Sequence, residues 1–306
     1  MYPKFPSFRK LTLDDREIYS HLVADYTPYS DISFTTLHIW WDLGQNLSFS
    51  VLNDNLVLNY TQPFDKQNAG LSLIGHHRVD ESIETLLAYL KQNDRQPRLV
   101  HVPEFVVEKI DDKSRFLISE EPDMHEYIID AKACAELEGP ELGRIRRKVN
   151  RFLRETEGHR VELKPLDLSV EAERQRVLGA VQNWQKKFPK ANDPGRTESQ
   201  AINVSLRHHA ALKLLNLCIL IDDQLQGIAL YHRSHDGKYY ILNHLKADYT
   251  FPFIFDYLTN QVALRATKDD VPCLNVEMDL GIEGLRQHKM GLRPINFLKK
   301  YRITAK

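Results

Sequence analysis

The densest run of chemically capable side chains is EMDLGIEGLRQHKMGLRP, at 277–294. GIEGLRQHKMG predicts a short helix on which Leu285 and Lys289 are i, i+4 neighbours. An ammonium that shares a face with an apolar side chain can reach from packed surface into a cleft. There Lys289 could bind a phosphate or carboxylate, or stabilise an oxyanion. The plainer reading is a snorkelling lysine, with Glu283 and Arg286 as an ordinary i, i+3 surface pair. CLNVEMD predicts a strand, so Glu277 and Asp279 alternate and point to the same side. Two carboxylates there could remove a proton or position an amine. They could equally cap the helix that follows.

A second group of charges lies in GRIRRKVNRFLRE. Leu142, Ile145, Val149 and Phe152 are spaced 3, 4 and 3 apart, the period of an apolar helix face. Arg144, Arg147, Arg151 and Arg154 repeat that spacing on another face, with Lys148 beside them. Such a stripe suits a nucleic-acid phosphate backbone. It also suits plain solvent, or the acidic stretch that precedes it. Thirteen histidines include His232, His235 and His244 on neighbouring expected strands, but none has a recognised ligand spacing, and no metal site is expected. Phe34, Trp40 and Trp41 read as core. Tyr249 and Tyr257 read as core or as lining of a substrate cleft.

These residues need elements to position them. The chain has 306 residues, 42% hydrophobic and 27% charged, which suits two ordinary folded domains or one large one and excludes disordered, collagen-like and disulfide-stapled classes. Cys134, Cys218 and Cys273 are far apart and read as reduced thiols of a cytoplasmic protein. The opening MYPKFPSFRK lacks the apolar core of a signal peptide, and no apolar run approaches the ~20 residues of a membrane span. LSFSVL and LVLNY around Asn53, Asp54 and Asn55 predict a β-hairpin, GLSLIG a strand and DESIETLLAYLKQ a helix. The second half reads strand (RVELKPL), helix (VEAERQRVLGAVQNWQKKF), polar loop and helix (SQAINVSLRHHAALKLL). Three β-rich runs follow (LCILIDD, LQGIALYHR, KYYILNHLK), then helix (FPFIFDYLTNQVALRAT), strand, short helix and a terminal strand, INFLKKYRI. The class is α+β.

The formal net charge is −1, but it is unevenly spread. Asp111–Glu138 holds nine acids and three bases, Gly139–Arg160 seven bases and three acids, and Leu280–Lys306 seven bases and one acid. The sign switch near residue 138 marks the expected junction, and the basic segments keep an anionic substrate open. The expected division is 1–130, a linking amphipathic helix over 131–158, and 159–306.

Four strings resemble the C-terminal domain of bacterial phosphatidylglycerol lysyltransferases and its soluble stand-alone relatives. They are YSDISFTTLHIWWD at 29–42, YIIDAKACAELEGPELGRIRRKVNRFLRE at 127–155, HLKADYTFPFIFDYL at 244–258 and EMDLGIEGLRQHKMGLRPINFLKKYRI at 277–303. The order helix, helix, three antiparallel strands, helix, strand, helix, strand is that of an acetyltransferase-type (GNAT) domain. The resemblance implies two GNAT-like domains in tandem, with mixed, mostly antiparallel sheets flanked by helices. It implies transfer of an aminoacyl group from aminoacyl-tRNA to an amine or hydroxyl acceptor, a small molecule or a lipid headgroup. The chain departs from the lipid enzymes in having no transmembrane half, which leaves open both a lipid acceptor and lysine as the transferred group. On this reading the reaction site lies in the second domain, with Lys289, Glu277 and Asp279 as catalytic groups. Arg286, Lys246 and Tyr249 would bind substrate, and Arg144, Arg147, Lys148, Arg151 and Arg154 would bind tRNA.

Acyl transfer of this kind needs an acceptor, a proton acceptor and an oxyanion stabiliser, and no nucleophilic serine or cysteine. Acetyltransferases cradle coenzyme A on a glycine-containing loop before a helix. The equivalent LKADYTFPFIF has no glycine, so acyl-CoA is not the expected donor and no cofactor is expected. Two other readings stand beside this one: a binding or regulatory module that keeps the fold without chemistry, and a coenzyme A-dependent N-acyltransferase.

Overall fold

The computed structural model describes residues 2–41, 47–60, 69–187 and 195–306. In chain order the elements are β1 (Arg9–Lys10), α1 (Arg16–Val23), α2 (Phe34–Trp41), β2 (Leu47–Leu52), β3 (Asn55–Tyr60), β4 (Gly70–Ile74), α3 (Val79–Gln92), β5 (Arg98–Pro103), α4 (Glu104–Val107) and β6 (Phe116–Glu120). They continue as β7 (Glu126–Asp130), α5 (Ala131–Glu136), α6 (Gly143–Glu155), β8 (Val161–Lys164), α7 (Glu171–Lys187), α8 (Gly195–Arg207), β9 (Leu215–Ile221), β10 (Gln224–Arg233) and β11 (Tyr239–Ala247). The last are α9 (Ile254–Lys268), β12 (Cys273–Asn275), α10 (Glu283–Gly291), β13 (Asn296–Leu298) and β14 (Lys300–Ala305). The polar loop expected after α7 lies outside the described residues. The chain forms two compact units: Met1–Glu126 with Met278–Ile282 and Phe297–Lys306, and Tyr127–Glu277 with Glu283–Asn296.

The first unit is built on a seven-stranded sheet, β1-β2-β3-β4-β5-β14-β6. Its hairpin forms as the Asn-Asp signal predicts: Asn53 and Asp54 take left-handed φ of 50° and 62°, and Leu52 pairs with Asn55. Asn and Asp tolerate that region, which a primed two-residue turn requires at both positions. α3 buries Val79, Ile83, Leu86 and Leu90 against Leu71, Leu73, Leu99 and Ile303, the i, i+3, i+4 face read from its sequence. The β4–β5 pair is parallel, whereas β5–β14 and β14–β6 are antiparallel.

The second unit holds the sheet β13-β7-β12-β11-β10-β9-β8. β9, β10 and β11 form an antiparallel meander; α9 then leads to β12, which pairs parallel with β11. Val177, Val181 and Trp184 of α7 and Ile202 and Leu206 of α8 pack with Cys218, Leu220, Ile228 and Leu230. Each unit therefore repeats a meander, a helix and a parallel strand. Two mixed sheets flanked by helices are the tandem α+β arrangement expected.

Two boundaries differ from expectation. INFLKKYRI is two strands, β13 and β14, and β14 is an inner strand of the first sheet rather than the end of a second domain. The basic helix α6 belongs to the second unit and is not a separate linker. The place of β14 is not marked locally, because partners such as Tyr301 and Glu120, 181 residues apart, leave no trace in periodicity.

Candidate functional site

The second unit opens where its parallel strands part. β11 and β12 pair only at Tyr239–Cys273, Tyr240–Leu274 and Ile241–Asn275, yet β11 continues to Ala247 against β10. The crevice beyond the carboxyl ends of parallel strands is the usual ligand site of such sheets. A register shift between Leu230 and Tyr231 leaves Asn243 opposite no residue of β10. Such a bulge re-aims a side chain beside a site.

Asn243 is buried and uses both ends of its amide. Its Nδ2 donates to Glu277 Oε1 at 3.2 Å, and its Oδ1 lies 2.7 Å from His232 Nδ1. Since the amide nitrogen faces the carboxylate, its oxygen faces the imidazole, so His232 carries a proton on Nδ1. Glu277 itself takes φ 58°, held because its N–H donates to Asn275 Oδ1 at 2.9 Å. Asn275, Asn243 and His232 thus fix one half-buried carboxylate at the fork. Next to it, Tyr127 N–H donates to Glu277 O at 3.3 Å, and Lys289 Nζ lies 6.0 Å from the centre of the Tyr127 ring.

A second cluster ties three helices of this unit. Lys148 Nζ of α6 is 2.8 Å from Asp256 Oδ1, and His288 Nδ1 of α10 is 3.9 Å from the same oxygen. Asp256 is buried in the first turn of α9, where the helix dipole favours a carboxylate. Burial lowers the His288 pKa, Asp256 opposes that shift, and Lys148 and Lys289 add to it. Lys148 and Arg151 also sit 5.9 and 5.4 Å from the Phe253 ring centre.

Of the expected site residues, Glu277, Lys289, Arg286 and Lys246 lie in the second unit, and Asp279 lies in the first. β12 stops at Asn275, so the strand alternation that paired Glu277 with Asp279 does not exist. Asp279 is fully buried; its Oδ1 accepts the Gly281 N–H at 2.8 Å and its carbonyl the Ile282 N–H at 3.0 Å. Those bonds close a turn ahead of α10, which begins at Glu283, rather than capping that helix. Lys246 forms an ion pair with Glu198 on α8. Tyr249 is exposed and its ring lies 4.9 Å from that of Phe255, whereas Tyr257 is core, stacked on Phe152 at 4.4 Å. Leu142, Ile145, Val149 and Phe152 are all buried, as the periodicity predicts. The basic stripe divides: Lys148 turns to Asp256, Arg151 pairs with Glu155 at 3.2 Å, and Arg144, Arg147 and Arg154 are exposed.

His232, Asn243, Asn275, Asp256, His288 and Tyr127 were not singled out as site groups by spacing. The available signal was Asn243-His244 interrupting an apolar strand run, since buried polar residues there demand partners. His244 finds one in Ser205 Oγ at 2.9 Å, and burial, with Lys246, pushes its pKa down to about 3. Cys134 and Cys218 are buried thiols pushed up to about 12 by burial, which suits packing rather than nucleophilic chemistry. Among the described residues, no group of three or more His, Cys, Asp or Glu could hold a metal, and no helix is long and apolar enough to cross a membrane.

A meander, a helix and a parted parallel strand, repeated in two units, make a tandem α+β fold of acyltransferase type. The chain belongs to the family described as phosphatidylglycerol lysyltransferase, C-terminal, whose model matches residues 24–304. A conserved protein of unknown function from Bacteroides thetaiotaomicron is 22% identical, with all of both chains covered and a TM-score of 0.83. The C-terminal domain of a candidate lysylphosphatidylglycerol synthetase from Agrobacterium fabrum is 11% identical over 96% of this chain and 93% of that one, at a TM-score of 0.66. L-PGS from Bacillus licheniformis is 14% identical over 95% and 92%, at 0.61. No curated protein matches the chain.

Proposed function

We propose that the chain transfers an aminoacyl group from aminoacyl-tRNA to an amine or hydroxyl acceptor, at the fork of the second unit. The observation that carries this is the Glu277 carboxylate, oriented by Asn243 and His232 where β11 and β12 separate. Glu277 takes the proton of the acceptor as its nitrogen or oxygen attacks the ester carbonyl of the donor. Lys289, near Tyr127, supplies positive charge for the tetrahedral oxyanion, and Arg286 of the same helix holds substrate. Collapse breaks the ester bond, and the departing ribose oxygen takes the proton back. Arg144, Arg147 and Arg154, exposed along α6, meet tRNA phosphates.

Coenzyme A fits this reading less well. The loop before α9 has no glycine, and the first turn of that helix already holds the Asp256 carboxylate. A pyrophosphate at that helix terminus would meet like charge.

Release of labelled amino acid from a panel of charged tRNAs tests the reading. Glu277→Gln and Lys289→Ala should each slow transfer by ~10²–10³-fold with folding intact. Failure to bind any tRNA at low salt would remove the donor from the proposal, and undiminished transfer by Glu277→Gln would remove the base.

A further inference from the structure

α6 and α10 border a cavity of about 300 Å³ lined by Arg144, Gln287, Met290, Gly291 and Arg293. We propose that this cavity is a binding site for a phosphoryl group, held by the guanidiniums of Arg144 and Arg293. Arg144 is shared with the tRNA contact proposed above, but the assignment requires neither a donor nor turnover, and it adds Arg293 and a bounded cavity to that exposed face.

Charge at the cavity is unbalanced. Arg144 has no carboxylate partner among the described residues, whereas arginines such as Arg151 and Arg174 have one. Arg293 is placed by backbone: after α10 its φ is 58°, and its N–H donates to Met290 O at 3.1 Å. Its Nε donates to the carbonyl of Glu141 at 3.2 Å, and its Nη2 lies 3.8 Å from the Glu141 carboxylate, which is 79% exposed. An ion pair that exposed and that long is worth little and gives way to a better anion.

A phosphoryl group is the better anion. Its terminal oxygens diverge tetrahedrally and can accept from two guanidinium forks that approach from different sides, whereas the two oxygens of a carboxylate lie in one plane and favour a single fork–fork pair. The volume is at the lower end of small-molecule pockets, ~300–1,000 Å³, so it takes the phosphoryl group with a small attached body. Met290, 46% exposed, offers that body an apolar wall. At Gly291 a Cβ would meet nothing within 4 Å, so the space beside the helix end is open.

Isothermal titration of the full chain with inorganic phosphate, and separately with a short single-stranded RNA, tests the site. Phosphate should bind saturably. Arg144→Ala and Arg293→Ala should each weaken it by about tenfold, and Arg144→Lys should retain part of it. Glu141→Gln should tighten binding by removing the competing carboxylate, and Lys132→Ala should leave it unchanged. RNA that competes with phosphate and needs the same two arginines would make a phosphodiester the source of the group. RNA indifferent to phosphate would make it a free phosphorylated compound. Phosphate that does not saturate, or that binds the Arg144→Ala/Arg293→Ala double variant equally well with its circular dichroism unchanged, overturns the proposal. So does Glu141→Gln without effect alongside an insensitive double variant.

Discussion

Lys300 is fully buried, with Nζ 2.8 Å from Glu126 Oε1 and in direct contact with the Asp31 carboxylate. Glu126 is itself fully buried and accepts the Ser30 N–H at 2.8 Å and the Ser30 hydroxyl at 2.8 Å. Burial would lower the Lys300 pKa, but Asp31 and Glu126 outweigh it and the pKa is raised above 10.5. The resulting stabilisation is fully present below 10.5 and is lost as pH rises through the folded value. Lys300→Met strands two carboxylates in the first unit, which should cost ~3–5 kcal/mol at pH 7. Urea unfolding at pH 7 measures this, and a deficit under ~1 kcal/mol would contradict it. Nothing near Lys300 in the sequence marks it for burial. It reads as one of seven bases in a positive segment, because Asp31 and Glu126 lie 269 and 174 residues away.

Elements were more legible than their ends. The 3, 4, 3 spacing of α6 names its buried face correctly, since an apolar stripe leaves a helix one way to dock. Phe152→Ala should therefore cost ~3–5 kcal/mol in thermal or urea unfolding, while Arg147→Ala on the exposed side should stay within ~0.5 kcal/mol. Equal effects would mean that α6 docks through another face. At β12 the same style of reading fails. Leu274, Val276 and Met278 alternate with polar residues as a strand should, but Asn275 Oδ1 captures the Glu277 N–H and bends the chain after three strand residues. A side-chain cap that competes with the ladder is invisible to periodicity. That bend is also what separates β12 from β11, so the site depends on the residue at which the pattern misleads.

At the scale of the molecule, the charge blocks find their meaning in strand order. β14 lies beside β6, so the acidic stretch beginning at Asp111 faces the basic C-terminal run within the first sheet. Arg302 pairs with Glu121 at 2.6 Å, Lys300 with Glu126, and Lys299 is 3.9 Å from both Glu120 and Glu104. Much of the positive charge that suggested an anionic partner at the C-terminal end is therefore spent inside the first unit. The exposed Arg144, Arg147 and Arg154 of α6 lie in the second unit instead. The same strand order makes the first unit discontinuous in sequence. β14 hydrogen-bonds to β5 on one side and β6 on the other, and Ile303 is fully buried among Leu71, Ile83 and Leu99. A fragment ending at residue 130 lacks that strand and leaves two sheet edges and a hole in the core. Such a fragment should show no cooperative thermal transition, and adding a peptide of residues 296–306 should restore one in a concentration-dependent manner. A fragment that melts cooperatively by itself would mean that strands β1–β6 suffice for the fold and that β14 adds little to its core.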